Sequence, residues 1–147
     1  MLKRRTLLHG GLATATALLA PQARACEFFT TTLRVWHPWT RAAAADAGAA
    51  TVCIRFDEVQ QADRLIAVAS PVATGARLLG AGPGEAVNLP IPAGQDTALG
   101  EDGVVLQLVG LRHELALGRS YPLTLVFERG GTLQATLNTD YTPLRFS

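Results

Sequence analysis

The residues of this 147-residue chain that are best suited to chemistry are two cysteines, Cys26 and Cys53, and two histidines, His37 and His113. An even pair of cysteines in an oxidising compartment is interpreted first as a disulfide. A Cys26–Cys53 disulfide would add about 3–4 kcal/mol of stability by the chain-entropy estimate. Three alternatives stay open: a lipid on Cys26, a thiolate metal site formed by Cys26, His37 and Cys53, or two free and inert thiols.

Residues 1–25 have the organisation of an export signal. A basic start that includes Arg4-Arg5 is followed by an apolar stretch at residues 7–20, which is too short to span a bilayer. Ala23-Arg24-Ala25 supplies the cleavage site. The arginine pair, the mild hydrophobicity and the charge of Arg24 favour the twin-arginine route. We therefore predict a periplasmic protein that begins at Cys26.

The predicted mature chain, residues 26–147, suits one domain. Removing the four basic residues of the signal leaves nine of the 13 basic residues against 12 acidic ones, and no lysine remains. This negative balance argues against nucleic acid or anionic lipid as a partner. No apolar run after the signal is long enough to cross a membrane.

The mature chain reads as a series of short strands, because valine, leucine and aromatic runs alternate with Gly, Pro and Asp clusters. Val52, Ile54 and Phe56 would share the inner face of one strand. Residues 104–109 form a nearly continuous apolar run, which predicts a strand buried on both faces. Trp39 is expected in the core. The pattern predicts an all-β single domain, either a sandwich or a small barrel.

Five segments, in order, resemble the PCuAC family of periplasmic copper chaperones, and the resemblance as a whole extends from about residue 33 to about residue 137. They are His37-Pro38-Trp39-Thr40-Arg41-Ala42, Ala62-Asp63-Arg64-Leu65, Pro90-Ile91-Pro92-Ala93-Gly94, Leu108-Val109-Gly110-Leu111 and Pro122-Leu123-Thr124-Leu125-Val126-Phe127-Glu128. The resemblance implies a cupredoxin-like (Ig-like) β-sandwich that carries copper(I) towards cytochrome oxidase assembly. It also implies a site made of a His, a Met and a His-x-Met pair.

These ligands are missing from the positions that match the family pattern. The His-x-Met pair falls on Val105 and Gln107, and the first His falls on or near Leu79. The chain has one methionine, Met1, so the mature protein has no thioether. Valine and leucine have no lone pair and glutamine is a hard oxygen donor, so the standard copper(I) site cannot form. Copper(I) is thus implied by the resemblance but not supported by these residues.

Two functions remain as hypotheses. The first is a copper-chaperone-like protein with a degenerate site, linked to copper trafficking or cytochrome oxidase assembly. The second is an envelope module that has lost copper and binds a protein partner or serves a structural role. An enzyme is not expected, since Ser70, Ser120, His37 and His113 lie in no recognisable nucleophile motif.

Overall fold

The computed structural model describes residues 26–142, so the predicted export signal lies outside the described part of the chain. Within residues 26–142 there are ten β-strands and one turn of 3-10 helix at Ala45–Ala47. The strands are β1 (Glu27–Phe29), β2 (Arg34–Arg41), β3 (Ala49–Asp57), β4 (Asp63–Ala69), β5 (Ala73–Leu79), β6 (Leu89–Ile91), β7 (Thr97–Leu99), β8 (Val105–Leu111), β9 (Ser120–Phe127) and β10 (Gly131–Tyr141). No helix in this range is long and apolar enough to cross a membrane.

The strands form one curled sheet in the order β5-β8-β3-β2-β10-β9-β4-β6. Strand β3 is paired along both edges: it has β2 on one edge, and β8 and then β7 on the other. Strand β2 is likewise paired along both edges: β3 lies along one edge, and β1 and β10 lie along the other. The predicted all-β, single-domain sandwich is confirmed.

The core follows the two-residue period of the strands. On β3 the side chains of Val52, Ile54 and Phe56 are all buried, as the sequence predicts. The ring of Phe56 meets that of Phe127 edge to face, with 5.8 Å between centroids. Burying each such side chain contributes about 1.5–3 kcal/mol, so the inner faces of β3 and β9 anchor the domain.

A buried carboxylate fixes the β9–β10 hairpin. Asp63 accepts hydrogen bonds from Thr32 Oγ1 at 2.7 Å and from the backbone amides of Arg64, Arg129 and Gly130 at 2.8, 2.7 and 2.9 Å. Burial by itself raises the pKa of Asp63, but these donors outweigh it and lower the pKa below its usual value. The turn between β9 and β10 is therefore held by a side chain from outside the hairpin.

Two predictions about burial are wrong. Residues 104–109 lie mostly in β8, where Leu106 and Leu108 are buried while Val105 and Gln107 are partly exposed. The other face of β8 therefore reaches the surface, because no second layer from residues 26–142 covers it. Trp39 lies on the outer face of β2, opposite Cys53, since β2 puts Val35 and Thr40 into the interior instead.

Candidate functional site

The three positions that match the family's ligands lie together on the outer face of β5 and β8. Leu79 and Val105 are directly opposite each other across the strand pair. Gln107 is two residues beyond Val105 on β8, so its side chain lies on the same face. The fold thus brings the three positions together in one patch, and none of the three carries a His or a Met side chain.

An arginine occupies the polar end of this patch. Arg77 lies opposite Gln107, and its Nε donates a hydrogen bond to Gln107 Oε1 at 2.8 Å. The amide nitrogen of Gln107 points towards Thr51 Oγ1 at 3.5 Å. The guanidinium brings a fixed positive charge next to the patch. Its hydrogen bond also occupies the side-chain oxygen of Gln107, the one atom of that residue that could coordinate a metal ion. A copper(I) ion would meet repulsion and apolar side chains there.

A second candidate site is a groove on the outer face of β2 and β3. Its volume is about 170 Å³, and His37 and Cys53 both line it, with Trp36 and Trp39 beside them. Trp36 is 38% exposed and Arg55 stacks over its ring at 5.1 Å. On the other side, Trp39 meets Tyr141 edge to face with 4.7 Å between centroids. The groove therefore combines a soft sulfur and an imidazole with aromatic walls.

His37 interrupts the regular alternation of β2. Its backbone φ is 47°, and the register between β2 and β3 shifts between Trp36 and Trp39, which indicates a bulge. The His37 amide donates to the carbonyl oxygen of Cys26 at 2.7 Å. Its ring Nε2 lies 2.8 Å from Asp140 Oδ2. Because an ionised carboxylate only accepts, Nε2 carries the proton and Nδ1 is left as the second ring nitrogen.

Cys53 forms the floor of the groove. It is 5% exposed, on the same outer face as Arg55. Burial raises the pKa of the Cys53 thiol to about 11, and the Glu101 carboxylate adds to this effect. The sulfur is therefore a neutral thiol near neutral pH and gains little reactivity from its surroundings.

The structure does not support the predicted Cys26–Cys53 disulfide, since both are free cysteines. Cys26 precedes β1, on one edge of β2, and Cys53 lies in β3, on the other edge. Strands on either side of a shared neighbour are separated by about 10 Å, whereas disulfides need Cα atoms within about 7 Å. Strand β2 lies between the segments that carry the two cysteines.

The remaining candidates are engaged elsewhere. His113 is exposed and its Nδ1 lies 2.7 Å from the Glu114 carbonyl oxygen. The hydroxyls of Ser70 and Ser120 bond to the Pro122 carbonyl and to the Asn138 side chain. Among residues 26–142, no three His, Cys, Asp or Glu side chains are grouped so as to hold a metal ion. The predicted trio Cys26, His37 and Cys53 is thus not assembled as three ligands.

A match to a family model shows which family the chain belongs to. Residues 33–139 match the family model described as "Putative lipoprotein LpqE-like". The chain belongs to this LpqE-like family. No curated protein matches it.

Solved structures connect this LpqE-like chain to PCuAC domains. The copper-bound PCuAC domain from PmoF2 has a TM-score of 0.71 at 22% identity, over 78% of this chain and 97% of that domain. The apo PCuAC domain from PmoF1 has a TM-score of 0.71 at 25% identity, over 78% and 98%. The copper(I) form of DR1885 from Deinococcus radiodurans has a TM-score of 0.60 at 23% identity, over 88% and 85%. The predicted PCuAC resemblance is confirmed, and the chain spans almost the whole of these domains.

Sequence reasoning missed three features of the LpqE-like chain's candidate sites. Arg77 was not predicted as part of a site, because Gly75 and Arg77 break the apolar pattern of β5, which begins at Ala73. Asp140 was missed because its partner His37 is 103 positions away, and only the parallel pairing of β10 with β2 brings them together. The bulge at His37 was also unforeseen, although the following Pro38 is a local signal for irregular backbone.

Proposed function

We propose that this LpqE-like chain is an exported, copper-chaperone-like protein that handles copper(I) in the periplasm without the ligands of the PCuAC site. One observation carries the proposal: a thiol and an imidazole, Cys53 and His37, line a single groove, while the family's ligand positions hold no such donors. Thiolate and imidazole ligands suit copper(I). The fold of a copper domain is thus kept while its standard site is lost.

Export is part of the proposal. The twin-arginine signal at residues 1–25 would deliver the chain to the periplasm. The family description names a lipoprotein, and Cys26 is the first residue after the predicted cleavage point. Ala23-Arg24-Ala25 lacks the leucine of a good lipid-attachment sequence and carries a charge, so we favour cleavage without lipidation.

A chaperone role implies a protein that receives the cargo. The PCuAC resemblance points to cytochrome oxidase assembly as the destination. The groove is flanked by Trp36, Trp39 and Tyr141, and aromatic residues of this kind dominate the binding energy of many protein interfaces. A periplasmic protein that meets this rim could take the ion directly. No catalytic step is assigned to the chain.

The test is the copper content of the exported protein. The full-length chain is expressed in copper-supplemented cells, and the processed protein is isolated from the periplasm without oxygen and with reductant. We expect about one copper per chain and transfer of that copper to a stronger copper(I) chelator. A protein that is copper-free at every copper supply would contradict the proposal. Intact mass of the same sample reports the cleavage point and any lipid on Cys26.

A second function is favoured by the Arg77–Gln107 hydrogen bond. That contact replaces metal ligands with a stable polar pair, as expected for a domain that no longer binds copper. In this alternative the chain is a protein-binding or structural module of the envelope. It predicts copper-free protein together with a binding partner that is lost when Trp36, the exposed tryptophan of the groove, is changed to alanine.

A further inference from the structure

We propose that Cys53 Sγ and His37 Nδ1 form a two-coordinate site for copper(I) in the groove between β2 and β3, with Asp140 as the positioning residue. This inference rests on the proposed function, because it names the site at which the cargo would be held. It places the ion on the opposite edge of β3 from the PCuAC-matched patch of Leu79, Val105 and Gln107.

The imidazole is prepared for this role. Asp140 Oδ2 accepts from His37 Nε2 at 2.8 Å, which fixes the tautomer and leaves the lone pair on Nδ1. Nδ1 has no hydrogen-bond partner among residues 26–142. A carboxylate behind a ligating histidine is the usual way in which proteins orient the ring and raise its basicity. The bulge at His37 turns this side chain out of the strand's alternation.

The buried thiol favours a monovalent ion over a divalent one. Binding breaks the S–H bond, forms the S–Cu bond and releases one proton to solvent, so a thiol and Cu⁺ give a neutral Cu–S unit. Burial that disfavours a bare thiolate at Cys53 does not disfavour this neutral product. A zinc ion would keep a positive charge and two unfilled positions, because Zn²⁺ requires four ligands.

Two arginines beside the groove are each paired with a carboxylate. Arg55 is 3.3 Å from Asp57, and Arg41 is paired with Glu101 at 2.6 Å. The guanidinium of Arg55 is also held over Trp36. Exchange of the thiol proton for Cu⁺ adds no net charge to the groove, whereas the PCuAC-matched patch has beside it the guanidinium of Arg77, which is hydrogen-bonded to Gln107 and lies 3.9 Å from Glu85.

The test is a copper(I) competition titration on the exported, processed protein, reduced and without oxygen, against a chromophoric chelator. The readouts are the affinity and the near-ultraviolet thiolate-to-copper absorption. Cys53→Ala and His37→Asn should each lower the affinity at least about 100-fold, and Asp140→Asn about 10-fold or more. Asparagine is chosen at position 37 because it also tolerates a positive φ. Cys26→Ser and His113→Asn are the matched controls and should bind like the parent.

Each outcome decides between the two proposals. Copper(I) binding that is lost in Cys53→Ala and His37→Asn but kept in the two control variants supports the site. Binding that survives Cys53→Ala, or disappears in Cys26→Ser, overturns the site but leaves copper handling intact. A parent protein that takes up no copper(I) overturns both. Tight binding by the purified protein, with copper-free protein in the periplasm, supports the site and overturns the proposed function. Circular dichroism of every variant shows whether the fold is retained.

Discussion

Arg77 donates a hydrogen bond across the β5–β8 pair to Gln107 at 2.8 Å, at the position that the second ligand of a His-x-Met pair would take. The patch consists of a cation, an amide and two apolar side chains. Introducing copper ligands alone would therefore not give it the environment of a copper(I) site.

The first prediction concerns the patch of Leu79, Val105 and Gln107. Leu79→His, Val105→His and Gln107→Met together supply two imidazoles and a thioether on one face. With Arg77 retained, we expect only weak copper(I) binding there; adding Arg77→Ala should raise the affinity about 10-fold, because a positive charge is removed beside the ion. Competition titration in a Cys53→Ala background measures it. Equal affinity with and without Arg77 would show that the guanidinium does not disfavour the ion.

The second prediction concerns thiol reactivity. Cys26 is partly exposed and should be alkylated by iodoacetamide at about pH 8, while Cys53 should resist until the pH approaches its pKa of about 11. Mass spectrometry after timed quenching gives both rates. Denatured protein, in which both thiols should react alike, is the control. Fast labelling of Cys53 in the native state, or no labelling of either thiol without reductant, would contradict the structure.

The same burial makes stability depend on pH. The pKa of Cys53 rises from 9.0 in the unfolded chain to about 11 in the fold. A raised pKa stabilises the fold fully below pH 9, and this contribution is lost as the pH rises towards 11. The parent should therefore lose up to about 2 kcal/mol more than Cys53→Ala between these pH values. Urea unfolding at each pH measures the difference, and parallel curves would argue against a buried thiol.

The third prediction concerns Asp63, whose carboxylate accepts four hydrogen bonds. Asp63→Asn replaces an acceptor oxygen by a donor and should cost about 2–4 kcal/mol at neutral pH. The pKa of Asp63 is lowered in the fold, so this stability is present above the unfolded pKa of 3.8 and is lost as the pH falls below it. The gap between parent and variant should shrink in acid. Asp46→Asn, in the exposed 3-10 turn, is the control and should be neutral.

The fourth prediction uses the end of β8. Gly110 has φ of 66°, and a Cβ there would collide with the Thr74 side chain on β5. Gly110→Ala should therefore destabilise the domain by about 2 kcal/mol or more, from backbone strain and the clash together. Gly100→Ala is the control, because Gly100 has an ordinary φ and open space around it. Equal melting temperatures for the two variants would show that β5 and β8 pack differently.

Residue alternation was enough to predict the strands that build the core. Val52, Ile54 and Phe56 on β3 all lie inside as predicted, and Leu123 and Leu125 on β9 follow the same alternation. Short edge segments such as β1 and β7 escaped notice, since three residues carry too little periodicity. β5 was missed because Gly75 and Arg77 break its apolar pattern.

The candidate site was harder to predict because it depends on long-range pairing. The order of the family segments identified the positions Leu79, Val105 and Gln107, whereas their closeness across the β5–β8 pair follows only from the strand register. The compartment suggested a disulfide for Cys26 and Cys53, but compartment says nothing about distance, and β2 lies between them. Likewise, the His37–Asp140 pair follows only from the parallel β2–β10 contact.

The most direct test of a copper(I) site that has moved from the PCuAC position to the β2–β3 groove is X-ray absorption spectroscopy of the reduced protein loaded with one equivalent of copper(I). The account predicts a two-coordinate ion with one sulfur, from Cys53, and one nitrogen, from His37. Two sulfur neighbours, or a first shell that is unchanged in Cys53→Ala, would contradict it.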